Sequence, residues 1–213
     1  MPSKRRTSKA SRQNPLLVRG EYNGNNPWDI PLMKVCHIND PNLKFVSFQS
    51  TGPKDTGNFD KAVHFFIDDY KFEKVYSRPD DYIRKLAHYK YVLTPDFSLF
   101  TDMPLWLQIN NVARNRWCGR NWQEVGLEVI PTVGWSTPES YSFAFLGLEK
   151  GTTVAVSTVG AKQGDKKSLF IQGYNAMIEE VKPNAVYCYG KPLQEMQGNV
   201  FHIDYLETTR RCG

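Results

Sequence analysis

Six short apolar runs recur after residue 60, and they restrict the possible folds more than any other feature of the chain. They are AVHFFID (62–68), YVLTPD (91–96), LEVIPTV (127–133), TVAVSTV (153–159), AVYCYG (185–190) and VFHIDY (200–205). Each is rich in Val, Tyr or Phe and too short for a helix, and several lack polar alternation, as expected of strands covered on both faces. Leu43–Phe48 reads as a further strand. Helix signals fall between the runs. Ser77-Arg78-Pro79-Asp80-Asp81 supplies a proline and two acids ahead of IRKLAHY. Asp102-Met103-Pro104 opens a long helix that ends near Gly126, with Asp102 as its candidate cap. Ser136-Thr137-Pro138-Glu139 opens SYSFAFLGL. Ser168 begins the last helix, with Phe170, Tyr174, Met177 and Val181 on one face and Pro183 beyond its end.

Strand and helix in alternation imply right-handed crossovers and a mostly parallel sheet. The repeated βα units are too few for an eight-fold barrel of about 250 residues. The expected fold is therefore an α/β sheet, open or incomplete and TIM-barrel-like, with a compact barrel as the alternative. The boundaries read as a basic arm over 1–20, a Gly-, Asn- and Pro-rich segment over 21–60, and an α/β domain over 61–213.

Charge is placed unevenly. Residues 1–20 hold Lys4, Arg5, Arg6, Lys9, Arg12 and Arg19 and no acid. The other 21 of the 27 basic residues face 22 acids, so the excess positive charge belongs to the arm. Lys4, Arg5, Arg6, Lys9 and Arg12 are candidate phosphate contacts of a salt-sensitive, sequence-independent kind, or simply a solubilising tail. The arm has no apolar core of the kind a secretory signal needs, and no run is long enough to cross a bilayer, so the expectation is a cytoplasmic protein without a membrane partner. Cys36, Cys118, Cys188 and Cys212 are scattered and read as free thiols. The four histidines lack metal-ligand spacing, and no metal or other cofactor is assigned.

In a parallel sheet, ligands meet the edge where strands end. Taken in order, those ends supply Asp68 and Asp69, then Asp96, then Thr132 to Trp135, then Ser157, then Tyr189. Asp96 follows Pro95, which forces the chain off the sheet. With Asp68 or Asp69 on the neighbouring strand, it is the candidate catalytic group, because nearby carboxylates separate their pKa values into acid and base roles. Such a pair equally suits Mg²⁺, and equally serves as turn caps. On the long helix, Leu105, Ile109, Val112, Ala113 and Trp117 are the expected buried stripe. Arg116 lies beside that stripe, where it needs a carboxylate or carbonyls. Arg114, Arg116 and Asn110 are candidate ligand-binding groups, the arginines as bidentate anion grips. Trp135, Ser157 and Tyr189 complete the expected site. The absence of GxSxG and GxxxxGK[ST] argues against a serine hydrolase and a phosphate loop.

PDFSLF…DMP, NRWCG and PTVGW carry a resemblance over roughly residues 30–205. The chain resembles domain-of-unknown-function family 4417 of phages, plasmids and bacterial genomes. The resemblance implies a phage or mobile-element origin and a cytoplasmic protein, and it brings no catalytic residue or cofactor. Three functions stay open: an accessory enzyme acting on nucleotides or nucleic acid, a nucleic-acid-binding protein without chemistry, and an inhibitor or interaction module aimed at a host protein.

Overall fold

The computed structural model describes residues 19–161 and 164–206. All seven expected strands form, in order: β1 (Phe45–Ser47), β2 (Ala62–His64), β3 (Tyr91–Leu93), β4 (Val129–Ile130), β5 (Val154–Ser157), β6 (Val186–Tyr189) and β7 (Val200–Ile203). Every pairing is parallel, in a sheet ordered β1-β2-β3-β4 and another ordered β5-β6-β7. A parallel bridge between Thr132 and Ala155 joins the two sheets. There the Val133 amide donates to the Ala155 carbonyl at 2.9 Å, and the Ala155 amide donates to the Pro131 carbonyl at 2.8 Å. Among the described residues no pairing of β7 with β1 closes the sheets into a barrel.

The period of two along each strand sorts side chains between cores. Val46, Val63, Val92 and Val129 face Leu86, Trp117, Cys118 and Trp122 of the helices over the first sheet. Val154, Val156, Val186 and Cys188 face Phe170, Tyr174, Met177 and Val181 of the last helix. The opposite face of all seven strands supplies one cluster: Phe45, Ala62, Leu93, Ile130, Ala155, Tyr187, Tyr189 and Ile203. Rings cross from one sheet to the other within it, Phe45 to Tyr187 at 6.1 Å and His64 to Tyr189 at 4.7 Å between centroids. Residues 21–60 join the same cores. Ile30, Met33, Cys36 and Ile38 are buried, and the amides of Cys36 and Ile38 donate to the hydroxyls of Thr152 and Thr153, both at 3.0 Å.

The helices are α1 (Lys74–Ser77), α2 (Pro79–Leu86), α3 (Leu105–Glu124), α4 (Tyr141–Ala144) and α5 (Gly164–Val181). Four local expectations are corrected. Helix α5 begins a turn before Ser168, at Gly164. SYSFAFLGL forms only a 3-10 turn and the four residues of α4, because the chain reverses at Gly147. Its φ is 76°, and a Cβ there would lie 2.4 Å from the Pro31 carbonyl oxygen, so only glycine fits. Asp102 does not cap α3, whose N-cap is Pro104 with no side-chain bond. The apolar stripe of α3 starts later than expected. Leu105 is 45% exposed, whereas Gln108, Asn111 and Asn115 are buried, because the inward face of the first turns meets loop carbonyls rather than strands.

Candidate functional site

Uniform parallel pairing sends every strand end to one edge. Asp68 and Asp69 follow β2, Asp96 follows β3, Trp135 follows β4, and Ser157 and Tyr189 end β5 and β6 in register with each other. Asp96 lines a cleft of about 220 Å³, counting the solvent at its mouth, with Leu99, Asn111, Asn115, Arg116, Thr132 and Gly134 among the other lining residues. Asp96 is partly buried. Among the described residues no hydrogen bond or ion pair reaches its carboxylate. Burial, and secondarily the charge of Asp69, push its carboxyl up to about 7.

Asp69 is the closer partner. It anchors the next loop, accepting from the Ser98 amide at 3.1 Å and the Ser98 hydroxyl at 2.9 Å. Asp68 is exposed and pairs with Lys71 at 2.7 Å. The hydrogen bond from Lys71 holds its carboxyl below the ordinary range. The geometry thus joins Asp96 to Asp69 and ties Asp68 into a surface ion pair.

Helix α3 holds the loop that carries Asp96 through a ladder of buried amides. Gln108 Nε2 donates to the Met103 carbonyl at 2.8 Å, Asn111 Nδ2 to the Ser98 carbonyl at 2.7 Å, and Asn115 Nδ2 to the Pro95 carbonyl at 2.7 Å. The spacing of three and then four residues sets all three on one helix face. Ser136 on the β4 loop donates its hydroxyl to Gln108 Oε1. Asn110, singled out from the sequence, is exposed outside this ladder.

Arg116 is 2% exposed and meets no carboxylate among the described residues. It donates to the carbonyls of Leu146 at 3.0 Å, Thr132 at 3.1 Å and Ala144 at 2.8 Å, and to Asn115 Oδ1. Burial pulls its guanidinium down to about 9. It pins α4 and the end of β4 to α3 at the back of the cleft. Arg114 pairs with Glu73 at 2.9 Å and stacks at 3.8 Å on Phe97, a residue of the cleft wall, without lining the cleft itself. Trp135 packs on Phe170 at 5.2 Å between centroids. A Cβ at Gly173 would come within 2.2 Å of its ring, so α5 approaches Trp135 through bare backbone. The Ser157 hydroxyl accepts from the Val159 amide at 3.2 Å. Tyr189 is buried against Phe66 and His64, each at 4.7 Å between centroids.

His64 is absent from the residues that strand ends and metal-ligand spacing single out. Alternation along AVHFFID places it on the same face as Ala62 and Phe66, and that signal was available. It is 1% exposed. Its Nδ1 accepts from the Phe66 amide at 3.2 Å, and its Nε2 is buried without a hydrogen-bond partner among the described residues. Burial pushes its pKa down to about 3, so the ring is neutral. Cys36 and Cys118 are free, buried thiols, and Cys188 is buried as well. Among the described residues no group of three His, Cys, Asp or Glu side chains is arranged to hold a metal, and no helix is long and apolar enough to cross a membrane. Lys4, Arg5, Arg6, Lys9, Arg12 and Cys212 lie outside the described residues.

Comparison with known proteins gives a family match over residues 22–206, to the family described as Domain of unknown function (DUF4417). The chain is similar to the Gene 1 protein of Mycobacterium phage L5, 43% identical over 131 residues, which are 61% of this chain and 57% of that protein. It is also similar to the Gene 1 protein of Mycobacterium phage D29, 41% identical over 131 residues, 61% of this chain and 48% of that protein. The chain thus spans about half the length of these relatives. No solved structure matches it.

Proposed function

The chain belongs to the DUF4417 family, and we propose that it is a phage or mobile-element accessory protein acting on nucleotides or nucleic acid at the carboxylate-bearing strand edge. One observation carries this reading. Asp96 is a carboxyl unpaired among the described residues, held near neutral pKa beside Asp69, in a cleft with room for roughly one water molecule. A carboxyl half-ionised at neutral pH takes or gives a proton readily. An adjacent water suits hydrolysis or glycosidic transfer, with Asp96 as the group that takes or gives the proton and Asp69, held by Ser98, as the charge beside it. Charge along the edge fits a phosphorylated substrate. On the β5–β6 side of the edge the exposed Lys166, in the first turn of α5, and Lys191, just after β6, supply positive charge. The two sheets are read, within this proposal, as one incomplete barrel, supported by the interior cluster drawn from all seven strands. A cytoplasmic location belongs to the same proposal.

The test pairs the parent protein with Asp96→Asn against nucleoside mono- and triphosphates and single-stranded oligonucleotides, reading binding by calorimetry and turnover by product release. Turnover by the parent, lost by about a hundredfold or more in a folded Asp96→Asn, is the expected result for removal of a proton-transfer group. Equal behaviour of the two proteins towards every compound overturns the reading. An interaction module aimed at a host protein is the second reading, favoured by uncovered aromatic side chains at the same edge.

A further inference from the structure

Large exposed apolar side chains stand on the connected segments at the acidic end of the strand edge. Tyr70 is 76% exposed, Phe100 60%, Leu105 45% and Trp106 69%. They belong to one hydrogen-bonded unit. The Met103 amide donates to the Phe100 carbonyl at 3.1 Å, folding the loop back onto the start of α3, where Leu105 and Trp106 stand. Tyr70 follows Asp69, whose carboxylate holds Ser98, two residues before Phe100. Exposed aromatic groups clustered in this way mark contact surfaces, and Trp and Tyr dominate the energetics of such surfaces.

Charge selects the kind of partner. From Tyr91 to Ala113 the chain carries Asp96 and Asp102 and no lysine or arginine. The loop after β2 adds Asp69, while Asp68 and Lys71 neutralise each other. The lip is therefore aromatic and acidic and attracts cations, whereas the positive charge available to a phosphorylated substrate lies on the β5–β6 side of the edge. The molecule already displays the matching contact elsewhere, with the Arg19 guanidinium 4.0 Å over the Trp117 ring.

We propose that this lip docks a basic, arginine-rich segment of a partner polypeptide, its guanidinium groups stacking on Trp106 and Phe100 and pairing with Asp102, as Lys71 already stacks on Tyr70 beside them. The proposal does not depend on chemistry at Asp96. It is tested by titrating the full chain with a synthetic 16-residue peptide alternating arginine with alanine and leucine (a length of about 50 Å when extended). The same peptide with glutamate for arginine, and a single-stranded oligonucleotide, serve as competitors. The arginine peptide is expected to bind, with Trp106→Ala weakening it about tenfold and Asp102→Asn about threefold. Both side chains are exposed, so both variants should keep the parent melting temperature. Asp96→Asn is expected to bind the peptide within twofold of the parent, which separates this surface from the proposed reaction. Absence of binding, parent-like binding by Trp106→Ala, or displacement of the peptide by the oligonucleotide at the lip overturns the proposal.

Discussion

Asp96 and His64 titrate in opposite senses, and each leaves its own mark on stability. The Asp96 carboxyl is raised from 3.8 to about 7. The folded state therefore holds a proton that the unfolded chain releases, and stability falls as pH rises from 3.8 to 7. Ionisation of Asp96 costs about 2–4 kcal/mol above pH 7. Asp96→Asn removes that cost, so chemical denaturation at pH 8 should find the variant more stable than the parent by that amount, with little difference at pH 4. Equal stability at both values would mean that the carboxylate has a partner or free water. His64 is lowered from 6.5 to about 3. The unfolded chain binds a proton that the folded state refuses, so stability is lost as pH falls from 6.5 to 3, by on the order of 4 kcal/mol. His64→Phe should flatten that acid limb in a denaturation series. A limb of unchanged slope would assign the acid sensitivity to other groups.

At the scale of elements, the strands were legible because a few apolar residues bounded by Gly, Pro or Asn suit little else. The α3 ladder was not. Gln108, Asn111 and Asn115 look like a solvated face, since an amide gives no sign of whether water or a loop carbonyl receives its protons. Asn110 and Asn111 are indistinguishable in sequence, and only the position of the loop after β3 selects the second. Arg116 was recognised as needing carbonyls or a carboxylate, but which carbonyls depended on the reversal at Gly147. Asp96 was legible because Pro95 marks the end of its strand, whereas the separation of Asp69 from Asp68 depended on the contacts of Ser98 and Lys71. The ladder makes two predictions. Asn115→Leu strips the Pro95 carbonyl of its donor and Arg116 of an acceptor, and should destabilise by about 2–3 kcal/mol in urea. Gly173→Ala drives a methyl into the Trp135 ring, and should cost about 1–3 kcal/mol with a changed near-ultraviolet tryptophan signal. A Gly173→Ala protein with the parent spectrum would contradict the packing of α5 on Trp135.

At the scale of the molecule, seven parallel strands in sequence order share one interior cluster, although only a single bridge joins the sheets. If they act as one body, the Val133 and Ala155 amides at that bridge should exchange hydrogen as slowly as Val156 and Val186 inside the second sheet. Fast exchange confined to the bridge would divide the protein into two independently opening halves. Such a body delivers the loops after β2, β3 and β4 to a common edge, and among the described residues it keeps an acid there without a counter-charge. The most direct measurement is the carboxyl carbon-13 titration of Asp96 by NMR. A midpoint near 7 that falls in Asp69→Asn is the predicted result; a midpoint near 4, insensitive to Asp69, would contradict the account.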